Sequence, residues 1–284
     1  MKFNKVAVLG GAGTMGSGIV QTVAQAGIEV LLFETNLEIA EKGKAKLDKV
    51  LGKLVEKGKL TADAKQSILD RIILCDNYEA MADVDLVIEA VFENMDLKKK
   101  IFKTLDETLK PEAILASNTS ALSVTEIASA TKRPEQVIGL HFFNPVPVMK
   151  LVELVMGLST SEETYRASVD FCQQIGKESI QAKDTPGFLV NYLQIPLLNG
   201  AVAAYEAGLA SAEDIDKACV LGMNHPIGPL ALLDLIGLDT ALDVFNVMYE
   251  GTGDQRFWPR TLHKRLVQAG HYGRKTGKGF YTYE

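Results

Sequence analysis

A chain of 284 residues that is 47% hydrophobic and 23% charged has enough apolar material for about two domains, which excludes a disulfide-stapled miniprotein and argues against a disordered chain or a fibrous repeat. The 30 basic and 36 acidic residues leave a net charge of -6, so no global positive field is available for nucleic acid or anionic lipid. The first sixteen residues, MKFNKVAVLGGAGTMG, lack the layout of a signal peptide, and no uninterrupted run of about 20 apolar residues supports a membrane span.

In chain order, strands are expected over 5–10, 29–34, 72–76, 86–90, 113–118 and 137–143, separated by longer helical patterns. Runs at 151–155 and 178–182 flank a helix opened by Ser161 and extend the same sheet. This alternation predicts an α/β fold with a Rossmann-type, doubly wound, mostly parallel sheet. Around Asp184-Thr-Pro-Gly187 the pattern changes, and most later segments read as helix, including one capped by Ser211-Ala-Glu-Asp214. The expected division is therefore a nucleotide-binding domain over 1–185 and an all-helical C-terminal domain over 186–284. No internal repeat is present in either half.

The first strand runs into Gly11-Ala-Gly13-Thr14-Met15-Gly16, which opens a helix ending at Gly27. In such a turn the first glycine allows the tight bend, the second lets the backbone approach a pyrophosphate, and the third lets the helix pack against the strand. Glu34, about 20 residues further on at the end of the second strand, is placed to accept ribose hydroxyls and would repel a 2′-phosphate. NAD is preferred over NADP, although the motif alone also admits FAD. The bland alternative is a glycine turn with no ligand.

Ligands of open doubly wound sheets sit beyond the carboxyl ends of the strands. Glu93, Ser120 in SNTSAL and His141 in VIGLHFFNP follow or end three successive strands at that rim. His141 has apolar neighbours and could be a core histidine, yet an imidazole is suited to exchange the proton of a hydroxyl undergoing oxidation. Glu153, on the adjacent strand pattern, could orient it or could simply face water. Four histidines without metal-ligand spacing argue against metal catalysis, and SNTSAL lacks the elbow that activates a serine nucleophile. Three dispersed cysteines, Cys75, Cys172 and Cys219, fit a reducing cytoplasm.

Taken together, HFFNPVPVMKLVE, SNTSAL, PGFLVN, HPIGPLALLDLIGLD and GRKTGKGFY resemble the 3-hydroxyacyl-CoA dehydrogenase family, particularly its bacterial 3-hydroxybutyryl-CoA branch, over essentially the whole chain. The resemblance implies a homodimer formed through the C-terminal domain, with an acyl-CoA bound between the domains. It assigns His141 as acid/base, Glu153 as its partner, and Ser120 and Asn191 as donors near the reacting oxygen. Glu93, Lys98, Asn144 and Lys275 match NAD contacts, although both lysines could be solvated charges and Asn191 could be a helix cap. Ser120-Ala121 stands where many relatives have two serines, which affects a secondary substrate contact.

After Glu34, Lys42, Lys46, Lys49, Lys53 and Lys57 form one helix face opposite Leu47, Val50, Leu51 and Leu54. This is either an ordinary solvated face or a docking face for the phosphates of coenzyme A; Lys53 and Lys57 match the CoA-contacting region. The implied reaction interconverts (S)-3-hydroxybutyryl-CoA and acetoacetyl-CoA with NAD(H). A dehydrogenase of free hydroxy acids and a non-enzymatic NAD-binding protein are the alternatives.

Overall fold

A computed structural model describes residues 2–283. The chain forms two compact units that meet in sequence between Asp184 and Thr185. The first contains β1 (Lys5–Leu9), α1 (Thr14–Gln25), β2 (Glu29–Phe33), α2 (Leu37–Glu56), α3 (Ala62–Asp70), β3 (Ile72–Cys75), β4 (Leu86–Glu89), α4 (Met95–Thr108), β5 (Ile114–Ser117), α5 (Val124–Ala128), β6 (Val137–Phe142), β7 (Leu151–Met156), α6 (Glu162–Gln174) and β8 (Glu178–Lys183).

The strands make one sheet in the order β3-β2-β1-β4-β5-β6-β7-β8. Parallel pairing runs from β3 to β6, β7 is antiparallel to β6, and β8 is parallel to β7. Strand order reverses between β1 and β4, which places the switch point beside the glycine turn. Central strands are covered on both faces, so they read as unbroken apolar runs; Val6, Ala7, Val8 and Leu9 of β1 are all fully buried. The polar exceptions are Glu89, Ser117, His141 and Glu153, all buried within strands.

Local signals set the helix starts. Asn36, Asn94 and Ser161 accept hydrogen bonds from the amides of Ile39, Leu97 and Thr164, capping α2, α4 and α6. By contrast, α1 begins at Gly13 without a side-chain cap.

The second unit holds α7 (Val190–Glu206), α8 (Ala212–Lys217), α9 (Pro229–Ile236), α10 (Leu238–Thr252) and α11 (Thr261–Gln268) around Leu198, Val202, Leu230, Leu233, Phe245 and Phe257. Its non-helical tail is held by two buried acids. Asp216 accepts from the amides of Leu230 and Ala231 and from the Tyr281 hydroxyl. Asp234 accepts from the amides of Phe280 and Tyr281 and from the Tyr283 hydroxyl. A Cβ at Gly279 would fall 2.0 Å from Asp234 Oδ1, which explains a glycine in GRKTGKGFY. Among the described residues, no helix is long and apolar enough to cross a membrane.

His263 of α11 is fully buried, with Nε2 2.8 Å from the Leu238 carbonyl and Nδ1 lacking a hydrogen-bond partner. Burial depresses its pKa below the ordinary histidine value, against the opposing effect of the Leu238 carbonyl. The unfolded chain therefore binds this proton more readily, so stability is lost as pH falls from about 6.5 through the depressed folded value. Thermal melts over that interval are expected to show a shallower pH dependence for His263→Phe than for the parent; identical slopes would remove His263 as the cause.

Candidate active site

The site is assembled from the strand ends of the first unit. Gly10, with φ +73°, ends β1 one residue earlier than its apolar pattern suggests. The amides of Gly10 and Gly11 donate to the Phe33 carbonyl at 3.1 and 3.3 Å, and the Gly13 amide donates to the Gly10 carbonyl at 3.0 Å. A Cβ at Gly16 would fall 2.1 Å from the Gly10 carbonyl oxygen, so only glycine lets α1 approach the strand this closely. Gly13 and Thr14 are exposed at the helix start, with Met15 half-buried behind them.

The Ala12 amide donates to Glu34 Oε1 at 2.8 Å, fixing a carboxylate beside the turn. This cradle, with exposed backbone at the α1 N-terminus and a fixed acid at the end of β2, fits a dinucleotide with unphosphorylated ribose. It would be held by the 11–16 turn and Glu34.

Next to the turn, the loops after β4 and β5 are joined by a buried ionic cluster. Lys98 of α4 is fully buried; its Nζ lies 2.6 Å from Glu89 Oε1 and 3.2 Å from Glu93 Oε2. This excludes the solvated-charge reading of Lys98. Glu93 Oε1 accepts from the Thr119 hydroxyl and from the Ser120 amide at 2.9 Å, with Ser120 Oγ at 3.4 Å. Desolvation pushes the Glu93 carboxyl up, but Lys98 and the donors from Thr119 and Ser120 outweigh it and hold the group below the usual carboxylate range.

The antiparallel pairing of β6 with β7 places His141 directly opposite Glu153. His141 Nδ1 lies 2.6 Å from Glu153 Oε2; Glu153 is fully buried and the imidazole nearly so. The reading of Glu153 as a water-facing strand acid is therefore wrong. An ionised carboxylate only accepts hydrogen bonds, so facing one Nδ1 would carry the ring proton and Nε2 would be the nitrogen left to exchange one. Asn118 Oδ1 accepts from the Phe142 amide at 2.9 Å, locking the end of β5 to β6. Buried Lys177 donates to the carbonyls of Val146 and Met149 at 2.6 and 2.7 Å and so fixes the loop after exposed Asn144. Burial lowers its pKa.

The remaining residues are distributed as follows. Asn191 is the second residue of α7, whose N-cap is Leu189, so it is not the helix cap of the bland reading. Lys275 Nζ is paired with Asp239 in the second unit, 2.7 Å from Oδ2. On α2, Lys42, Lys46, Lys49 and Lys53 are exposed, as is Lys57 at its C-cap. Leu47 and Leu51 are buried opposite them, whereas Val50, expected on the apolar face, is 47% exposed. Gly43 explains how this helix docks, since a Cβ there would fall 2.6 Å from Ala12 Cβ.

Sequence reasoning missed Glu89, Ser117, Thr119 and Lys177. For Glu89 a signal was present: an acid inside the apolar run LVIEA. Lys98 occupies the same buried face of α4 as Ile101, Phe102 and Leu105, a position where a lysine needs a buried partner.

Residues 5–185 match the family description "3-hydroxyacyl-CoA dehydrogenase, NAD binding domain", and residues 187–283 match "3-hydroxyacyl-CoA dehydrogenase, C-terminal domain". A 3-hydroxybutyryl-CoA dehydrogenase of Clostridioides difficile is 50% identical over 98% of this chain and 99% of its own length. A probable 3-hydroxybutyryl-CoA dehydrogenase of Bacillus subtilis is 48% identical over 99% of this chain and 98% of its own. The crystal structure of (S)-3-hydroxybutyryl-CoA dehydrogenase from Ralstonia eutropha superposes with a TM-score of 0.95 at 46% identity, each chain being covered completely. With both family domains matched in order and relatives aligned almost end to end, the chain belongs to the 3-hydroxyacyl-CoA dehydrogenase family.

Proposed function

We propose that this NAD-dependent oxidoreductase interconverts (S)-3-hydroxybutyryl-CoA and acetoacetyl-CoA, with His141 moving the proton at the C3 oxygen. The buried His141–Glu153 pair at the carboxyl edge of the sheet carries the reading. NAD(H), when bound, accepts or supplies the hydride at C3. In oxidation His141 takes the hydroxyl proton; in reduction the protonated ring returns it to the forming alkoxide. Glu153 stabilises the ring while it is charged. Ser120 and Asn191 serve as hydrogen-bond donors to the C3 oxygen, and Glu93, Lys98, Asn144 and Lys275 support NAD.

A division of labour at residue 185 accompanies this assignment. Residues 1–185 hold the nucleotide, and 186–284 shape the substrate site and pair two copies into a homodimer. Buried Cys75, Cys172 and Cys219, none in a disulfide, suit a cytoplasmic setting, and the proposed substrate pair suits a role in short-chain acyl-CoA metabolism.

The test is NADH consumption with acetoacetyl-CoA, repeated with acetoacetate and with NADPH. Fast turnover is expected only for acetoacetyl-CoA with NADH. Equal rates on acetoacetate would make this a dehydrogenase of free acids, and no turnover on any substrate would favour a non-enzymatic NAD-binding role.

Lys53 and Lys57 supply cations for the CoA phosphates. Replacing both with alanine is expected to raise KM for acetoacetyl-CoA about fivefold or more, at roughly 0.5–1 kcal/mol per exposed charge contact, while KM for a truncated thioester stays put. Parallel changes in both KM values would return these lysines to an ordinary solvated face.

A further inference from the structure

Beneath the Ser120 loop, every oxygen of a fully buried carboxylate is engaged. Glu89 ends β4 in register with Leu9 of β1 and Ser117 of β5, at the switch point of the sheet. Its Oε1 accepts from Lys98 Nζ at 2.6 Å and from the Val91 amide at 2.8 Å, and its Oε2 accepts from Ser117 Oγ at 2.6 Å. Lys98 then reaches Glu93 Oε2, and Glu93 Oε1 gathers the Thr119 hydroxyl and the amides of Ser120 and Ala121. One ammonium is thus shared by two carboxylates, in a layer where its neighbours along α4 are Ile101, Phe102 and Leu105.

Burying ions in such a layer is costly, and apolar side chains of similar volume would pack there at least as well. What the ions add is direction. Each hydrogen bond in the series has one geometry, and the series ends on the backbone of Ser120.

We propose that Glu89 is a positioning residue for the dehydrogenase reaction, acting through Lys98 and Glu93 to fix Ser120. The assignment rests on the reading of Ser120 as a donor to the C3 oxygen. Removing the Glu89 charge frees Lys98 to recentre on Glu93. That displaces the oxygen gathering the 119–121 backbone and lets the Ser120 hydroxyl leave its aim, while the glycine turn and Glu34 are untouched.

A double-mutant cycle of Glu89→Gln with Ser120→Ala tests this, with folding checked by circular dichroism and thermal melts. Glu89→Gln is expected to lower kcat for acetoacetyl-CoA reduction about tenfold in the native background and less than about twofold in the Ser120→Ala background, because residues acting as one unit are non-additive. NADH affinity, read by fluorescence titration, falls severalfold in Glu89→Gln because Glu93 moves with Lys98. Ser117→Ala, which removes a single donor to Glu89, gives a smaller loss with the same dependence on background, and it carries the test if Glu89→Gln does not fold. Equal losses in both backgrounds, an unchanged kcat, or an unchanged NADH affinity would overturn the proposal. Unchanged turnover in Ser120→Ala alone would instead refute the role of Ser120, and this proposal with it; the native-background result separates the two failures.

Discussion

His141→Ala is expected to lower the turnover of acetoacetyl-CoA reduction by roughly 10²- to 10⁴-fold, the usual contribution of a positioned acid/base, while NADH binding survives. The separation follows from the fold. His141 lies on β6, whereas the cradle for the dinucleotide is the turn after β1 with Glu34 just beyond β2. Removing the ring would take away the proposed proton source for the C3 oxygen and leave that cradle intact. Steady-state rates and an NADH fluorescence titration on the same preparation check both halves, and undiminished turnover would remove His141 from the mechanism.

Glu153→Gln tests the other side of the pair. Glutamine keeps the volume of a fully buried side chain but removes the charge that faces the imidazolium. Its amide can also donate to Nδ1, which would transfer the ring proton to Nε2, the wrong tautomer for a base. Turnover is expected to fall on the order of 10³-fold with KM for acetoacetyl-CoA little changed, since the loss is felt as the ring becomes charged. A thermal melt distinguishes this from collapse of the strand pair. An unaltered kcat in a folded protein would show that the 2.6 Å contact is structural only.

The sheet was legible because its strands are covered on both faces and leave continuous apolar runs between glycine and proline punctuation. The glycine turn was legible for a similar reason: Gly16 is required by a steric contact that any side chain would violate. His141 and Glu153 could be named as a pair from neighbouring strand patterns and from the resemblance, but the residues alone did not give their distance. That depends on the antiparallel register of β6 with β7, which no local pattern announces.

Glu89 and Lys98 show a different obstacle. Glu89 is a single charge in an apolar run and Lys98 is the first of three consecutive lysines, and the fact that explains each burial is the other, nine positions away on a different element. Val50 was misplaced because α2 buries a narrower stripe than its apolar residues suggest, with Leu47 and Leu51 inside and Val50 at its edge. In the helical unit, the GRKTGKGFY tail was recognisable as a motif, yet its physical cause is Asp234 on α9, which collects three donors from residues 280–283.

The sharpest test is the protonation state of one ring. A long-range ¹⁵N–¹H NMR spectrum of the protein in alkaline buffer, with His141 assigned through its alanine variant, reports which nitrogen bears hydrogen. A proton on Nδ1, held by Glu153, with Nε2 unprotonated is the predicted result. A proton on Nε2 would mean that the carboxylate does not orient the ring, and the proton could not travel as described.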